Sequence, residues 1–407
     1  MTQQLLHKMK VDEAMFRYIA GNAHADTCKL LLKKEPNLTF DKNFAVVQIE
    51  CRRKARNKIP ELLSHERFLF PKPVSAEQCT HEVVARFHAS LLKSEGHVLD
   101  MTMGLGVDDY YIARQVQSLT AIELDPLIAE VGAYNFAQLN PRVQVLQGDS
   151  TMILAESETQ YDAIFIDPAR RGDGGRRLYG LADCLPNVLD LMPLLKTHAR
   201  RLYIKASPMV DVTQVVRELG ASLSHVWAVS VKNECKELFF KLDFERPGEQ
   251  VTRHALNYER EWCHFECDNA TAIHAHVQPA RVEAGVYLYE PNASIMKLGC
   301  FDEVAREWGV SQLAGNSHLY VSSRYLPQFH GRAFLVEQVV PFNDQQMRAL
   351  AKQRMKLNIA TRNFKLSAQA LKRKLKAQDG GEQYLFATTL AAGEQVLLLC
   401  VKPSCDD

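Results

Sequence analysis

Long apolar runs are missing from this 407-residue sequence. No window approaches the roughly 18 apolar residues that a membrane-spanning helix requires. The first residues, Met-Thr-Gln-Gln-Leu-Leu-His-Lys, lack the apolar stretch and small-residue cleavage site of a secretory signal. A cytoplasmic location with no membrane partner is therefore expected. Charge imbalance is missing too: the net charge is +1, which by itself points to no partner. The ten cysteines show no scaffold spacing, which fits reduced thiols. A second cysteine pair is also absent. Cys263 and Cys267, with His264, His274 and His276 nearby, do not complete a four-ligand zinc pattern, so no metal is expected. What remains is a globular composition, 46% hydrophobic and 24% charged, long enough for about two to four domains.

Residues 1–80 read as a helical N-terminal region. Helix-spaced apolar residues run from Asp12 to Ala20 and from Asp26 to Lys33, with Asp26 placed to cap the second stretch. The basic run Arg52, Arg53, Lys54, Arg56 and Lys58 reads as a solvated helix face rather than an RNA contact. Phe70-Pro-Lys-Pro73 is a rigid break, and Thr80 is expected to cap the helix that leads into the next domain. Over residues 81–246 strands alternate with helices. Strands are expected at 97–100, 119–123, 142–147, 161–166 and 200–206, and helices at 107–117, 126–139, 181–195 and 211–219. This alternation predicts a parallel sheet covered on both faces. Val226–Val231 and Glu237–Phe244, joined by a short polar loop, add a terminal hairpin and hence one antiparallel strand. The fold class is α/β, a Rossmann-like sheet of seven strands with small α+β domains after it.

The chemistry gathers around His97-Val-Leu-Asp-Met-Thr-Met-Gly-Leu-Gly-Val-Asp108, which reads as a strand, a glycine turn and the start of a helix. A dinucleotide fold wants a third glycine at position 109, where Asp109 follows Asp108 instead. Two carboxylates at that helix start would repel a pyrophosphate. S-adenosylmethionine (SAM) has no phosphate and carries an ammonium and a sulfonium. Asp100 at the strand end can pair with the ammonium. Met101, Thr102, Gly104, Gly106 and Asp108 form the turn around the methionine part, where the glycines admit close backbone approach. Glu123 ends the next strand and can accept both ribose hydroxyls, with Leu124 beside it. Asp149, in Gln147-Gly-Asp-Ser150, follows the third strand and can accept from the adenine amino group, with Ser150 next to it. Asp167-Pro-Ala-Arg170 follows the fourth. Any one of these carboxylates is more simply a helix cap. Four of them at the carboxyl ends of consecutive strands, where open α/β sheets bind ligands, point to SAM.

The motifs Val98-Leu-Asp-Met-Thr-Met-Gly-Leu-Gly106, Ala121-Ile-Glu-Leu-Asp125, Gly148-Asp149 and Asp167-Pro-Ala-Arg170 resemble those of class I SAM-dependent methyltransferases over about residues 81–246. The resemblance implies their seven-stranded methyltransferase sheet and SAM as cofactor. The whole chain is similar to bacterial members with a C-terminal THUMP-like domain, through Tyr287-Leu-Tyr-Glu-Pro-Asn292, Lys356-Leu-Asn358, Thr361-Arg-Asn363, Asp379-Gly-Gly381 and Tyr384-Leu-Phe-Ala-Thr388. Met103 departs from the family's usual glycine and is expected to narrow the cofactor turn. Asp167, Pro168 and Arg170 take the acceptor positions. Asp167 can accept a hydrogen bond from an exocyclic amine, and Arg170 can stack on a base or bind phosphate in place of the aromatic ring usual in nucleic-acid amino methyltransferases. The Asp-Pro-x-Arg spelling also resembles uracil-C5 methyltransferases, but their cysteine nucleophile is replaced by Ala206 in Lys205-Ala-Ser-Pro208. Cys184 and Cys235 are more simply buried structural thiols. A nitrogen or oxygen acceptor is expected, a base nitrogen first. Asp173-Gly-Gly-Arg-Arg-Leu-Tyr179 is expected to order over bound substrate.

Residues 247–323 read as a connecting segment followed by a small ferredoxin-like α+β unit, and residues 324–407 as a basic THUMP-like α+β domain. Acid is missing where base is densest. Between Gln345 and Gln378 there is no Asp or Glu, while ten Lys and Arg residues occur. Such clustering marks a polyanion-binding face, with Lys356, Arg362, Lys365, Lys372, Arg373 and Lys376 as its RNA contacts. Asn358, Asn363 and Phe364 would add hydrogen bonding and stacking. The expected activity is SAM-dependent methylation of structured RNA, tRNA or rRNA. Two alternatives stand beside it: a methyltransferase of a small molecule or protein, and a SAM-binding, RNA-binding protein without catalysis.

Overall fold

A computed structural model describes residues 4–139, 142–170, 180–248, 250–267 and 282–403, with Arg170 described by its backbone alone. The Asp173–Tyr179 loop, His274 and His276 lie outside the described residues. The chain forms two compact units, Met1–His225 with Leu238–Glu249, and Val226–Glu237 with Gln250–Asp407.

Five strands of the first unit run parallel: β1 (His97–Asp100), β2 (Ser118–Glu123), β3 (Val143–Gln147), β4 (Tyr161–Ile166) and β5 (Ala199–Ala206). Ala163 to Ile166 and Leu202 to Ile204 are buried without interruption, as expected of strands covered on both faces. Strand β6 (Leu223–Val231) turns at Lys232 and Asn233, both in left-handed backbone, into β7 (Glu234–Asp243). β7 lies antiparallel to β5, with Arg201 opposite Asp243 and Ala206 opposite Leu238. The order β3-β2-β1-β4-β5-β7-β6 is the predicted seven-stranded arrangement. Two more strands, β8 (Thr252–Tyr258) and β9 (Trp262–Cys267), extend this sheet past β6 to nine strands.

The helix at Val107 stops at Ile112 rather than at 117, because the Gln117 and Ser118 amides turn to the Gly96 carbonyl and start β2. Among the N-terminal helices, Lys42–Ala55 carries most of the basic run. Arg52 and Arg53 donate to the carbonyls of Phe68 and Ala23 and so brace the chain. Leu6, Met15, Ile49 and Leu69 pack with Val131 of helix Pro126–Leu139. The Asn135 side chain bonds the Leu69 main chain at both its N–H and its carbonyl. The N-terminal region therefore shares the core of the sheet that follows it.

The second unit holds a seven-stranded mixed sheet built from Tyr287–Pro291, Ser311–Gln312, Tyr320–Ser322, Gly331–Pro341, Lys356–Thr361, Gln378–Thr389 and Gln395–Val401. Tyr287–Pro291 pairs with Gly331–Pro341, so segments that read as two small domains share one sheet. Helices Asp344–Gln353 and Ala368–Leu375 cover it through Met347, Leu350, Leu371 and Leu375. Cys267 and Cys300 are joined by a disulfide, which corrects the expectation of reduced thiols. The end of β9 and the residue before helix Phe301–Trp308 bring their Cα atoms to 6.2 Å. Among the described residues, no helix is long and apolar enough to cross a membrane.

Candidate active site

After β1 the chain turns through Gly104 and Gly106, at φ +58° and +77°. A Cβ at Gly106 would sit 2.8 Å from the Phe136 ring, so the turn requires glycine there. The Gly104 amide donates to Glu123 Oε2 at 2.9 Å, and the Asp125 amide to Oε1 at 2.8 Å. Each carboxylate oxygen keeps a further lone pair. Met103, in the turn, is 5% exposed, and its thioether lies over Gly132, where a Cβ would collide with it. Asp149 caps helix Ser150–Ala155, accepting from the Thr151 amide at 2.8 Å, and the Thr151 hydroxyl and amide hold its carboxyl below the usual range. Ser150 is buried, whereas Leu124, which follows Glu123, and Met152, in the first turn of the Asp149-capped helix, expose large apolar side chains.

Asp100 is 1% exposed, and its Oδ1 accepts from the Thr102 amide at 2.6 Å and the Thr102 hydroxyl at 3.3 Å. Asp109 is fully buried, and no amide, hydroxyl or cation donates to its oxygens, which leaves the Asp100 carboxyl as its hydrogen-bond partner. Burial pushes Asp100 up to about 7. Burial, then the neighbouring Asp100 charge, raise Asp109 well above the carboxylate range. Burying two carboxyls side by side thus raises the proton affinity of both. Two adjacent buried carboxyls suit a cationic donor such as an ammonium group, which would favour their ionised form over the protonated one.

Asp108 belongs to a different network. Its Oδ1 is 2.8 Å from His88 Nδ1, its Oδ2 accepts from the Thr80 hydroxyl, and Lys205 Nζ is 3.6 Å away. Burial works to raise the Asp108 carboxyl, but Lys205, His88 and Thr80 together outweigh it and hold the group ionised. Lys205, 9% exposed near the end of β5, also donates to Thr80 Oγ1 at 2.7 Å and to Asp167 Oδ2 at 2.6 Å. The Thr102 hydroxyl in turn accepts from the Asp167 amide at 2.7 Å. Hence Thr102 joins the cofactor turn to the Asp167 motif on one side, and Lys205 joins Asp108 to it on the other. Thr80 is spent here, and His81 takes the helix cap expected of it. His88 and Lys205 carried no site expectation from the sequence, and Thr80 was expected only as a helix cap. The one local signal was a lone cation inside the apolar run Leu202-Tyr-Ile-Lys-Ala206. Pro168 is buried, and the Arg170 backbone pairs with Cys184 in a short antiparallel ribbon. Cys184 is buried, and burial pushes the Cys235 thiol up to about 11, so neither has the environment of an activated nucleophile.

On the second unit, Lys372, Arg373 and Lys376 line a hollow of about 480 Å³ with Gln369 and Ala377. Lys356 and Lys365 are exposed. Arg362, expected to contact RNA, is drawn to the buried Glu290 at 2.6 Å, beside Arg332. Phe364, expected to stack on bases, packs against Phe342 at 4.9 Å instead, and Asn358 is bonded to the Gly381 carbonyl.

Residues 331–402 match a family described as THUMP domain-like, and residues 287–329 a ferredoxin-like domain. Among solved structures, the chain is similar to a "putative methyltransferase from Porphyromonas gingivalis W83", with 29% identity and a TM-score of 0.86, over 99% of this chain and 100% of that one. It shares 15% identity, at a TM-score of 0.30, with a "putative RNA methyltransferase" from Pyrococcus horikoshii, over 40% of this chain and 84% of that one. With the O-methyltransferase from Bacillus cereus in complex with SAH it shares 14% identity, at a TM-score of 0.33, over 46% and 90%. No curated protein matches the chain.

Proposed function

We propose that this chain, which joins a class I methyltransferase fold to a C-terminal THUMP-like domain, transfers a methyl group from SAM to structured RNA, tRNA or rRNA, at a base nitrogen. The observation that carries the reading is one connected cluster at the carboxyl ends of β1, β2 and β4, where Thr102 bonds both Asp100 and the Asp167 amide. In it, Glu123 would take the ribose hydroxyls, the Asp100–Asp109 pair the ammonium, and Asp149 with Leu124 and Met152 the adenine. SAM supplies an electrophilic methyl group when bound.

The chain's own part is positioning. Lys205 fixes Asp167 by one oxygen, and the carboxylate orients an exocyclic amine of the target base. The hollow lined by Lys372, Arg373 and Lys376, with Lys356 and Lys365, would hold RNA phosphates. The ammonium of Lys205 beside Asp167 favours a second reading, in which the acceptor is a hydroxyl whose developing negative charge meets that ammonium. Labelled methyl transfer from SAM to bulk cellular RNA tests the proposal, and digestion to nucleosides separates nitrogen from hydroxyl acceptors. Asp167→Ala is expected to lower transfer at least about 100-fold while SAM still binds. Tight SAM binding with no transfer to any RNA would overturn the reading as an RNA methyltransferase.

A further inference from the structure

Away from the proposed active site, β8 and β9 place three metal-binding side chains on one patch. The strands pair antiparallel with His254 opposite Glu266 and Leu256 opposite His264. His264 and Glu266 are two apart on β9 and so share a face, and His254 stands across from them. His254 Nδ1 is 3.1 Å from His264 Nε2 and 3.3 Å from Glu266 Oε2, and the three donor atoms all lie within 4.8 Å of one another. Ligands of a tetrahedral zinc ion, with bonds of about 2.0–2.1 Å, stand about 3.3 Å apart by simple geometry.

The two short separations are therefore those of ligands around a single ion. The Trp227 ring stacks on His254 at 5.1 Å and 14°, which sets the plane of the imidazole. His264 and Glu266 are exposed, so the patch opens to solvent. Cys267, from the cysteine pair that does not complete a zinc pattern in the sequence, is used in the disulfide to Cys300.

We propose that His254, His264 and Glu266 form a binding site for a divalent transition-metal ion of the zinc class. Two imidazoles and a carboxylate are the donor set that such borderline ions favour over Mg²⁺ or Ca²⁺. Three protein ligands leave a coordination position for water or an outside group. β9 is the last strand in the sheet order among the described residues, so the ion would fasten an edge strand to its neighbour. Without metal, the same 3.1 Å contact is an N–H···N hydrogen bond between two imidazoles with Glu266 alongside, and experiment separates the two.

The test is Co²⁺ titration of the metal-stripped full-length chain, followed by Zn²⁺ displacement and by thermal unfolding with and without Zn²⁺. The expected result is one equivalent of Co²⁺ with visible d–d absorption, lost on adding Zn²⁺, and a higher Tm with Zn²⁺. His264→Ala and Glu266→Gln alter exposed side chains, and each should weaken Co²⁺ binding by more than about tenfold. Each should also remove the Zn²⁺-dependent rise in Tm while leaving the metal-free Tm close to that of the parent chain. No d–d band with no Zn²⁺ effect on Tm would overturn the proposal. So would a band that survives unchanged in both variants, or one with intense thiolate charge transfer.

Discussion

Asp109 is the residue where the sequence argument and the structure meet most closely. As the missing third glycine it argued against a pyrophosphate, and in the fold it is a buried acid paired with the Asp100 carboxyl. Its folded-state affinity for protons is raised by burial and then by Asp100, whose own carboxyl is pushed up to about 7 by burial. A carboxyl whose folded pKa is raised contributes stability that is fully present below its unfolded value. That contribution is lost as pH rises through the folded value. Asp109→Asn removes this loss. The Tm of Asp109→Asn relative to the parent should therefore become more positive between about pH 5 and pH 8, read by thermal unfolding without ligand. A difference that does not change with pH would contradict the raised pair. Lys205, Thr80 and His88 show the limit of reading residues one at a time. Thr80 and Lys205 are 125 positions apart in the chain yet bond at 2.7 Å, and only the closed sheet brings them together.

At the scale of elements, the parallel strands were legible because strands buried on both faces are short apolar runs ending at Gly, Asp or Pro. The glycine turn was legible as a turn but not in its demands. Gly104 and Gly106 both have positive φ, yet a Cβ at Gly104 would meet nothing closer than 3.9 Å, whereas one at Gly106 would strike the Phe136 ring. Gly104→Ala should therefore cost only the backbone penalty, about 1–2 kcal/mol. Gly106→Ala should lose about 1–3 kcal/mol more through crowding, read by urea unfolding, and should weaken SAM binding further than Gly104→Ala does. Equal losses would mean that Phe136 yields freely. Strands β8 and β9 were less legible. Trp262-Cys-His-Phe-Glu-Cys267 alternates, but its histidine and cysteines read as ligand candidates before they read as the two faces of an edge strand. The disulfide was illegible for a related reason: Cys267 and Cys300 are separated by 33 positions, and nothing local pairs them.

At the scale of the whole molecule, a net charge of +1 conceals an acid-free stretch of the second unit, and the fold decides which of its cations are free to act. Arg362 is turned inward to Glu290, and Lys372 already has an ion pair with the exposed Asp379. Arg373 and Lys376 are exposed around the same hollow, with Lys356 and Lys365 exposed on the same domain. The charge run was legible because it is local in sequence, while the withdrawal of Arg362 was not, since Glu290 is 72 positions away. If RNA phosphates occupy the hollow, each cation that contacts one contributes about one unit to the slope of log affinity against log salt. The triple variant Lys372→Ala, Arg373→Ala, Lys376→Ala should make that slope shallower by about 2–3 and weaken binding alike for unrelated tRNA and rRNA fragments. Arg362→Ala should leave the slope within about half a unit of the parent, because its charge is spent on Glu290. Fluorescence anisotropy over a salt series measures both. A triple variant with an unchanged slope would move the RNA to another face, and a parent chain with no salt-dependent affinity would favour a small-molecule or protein acceptor.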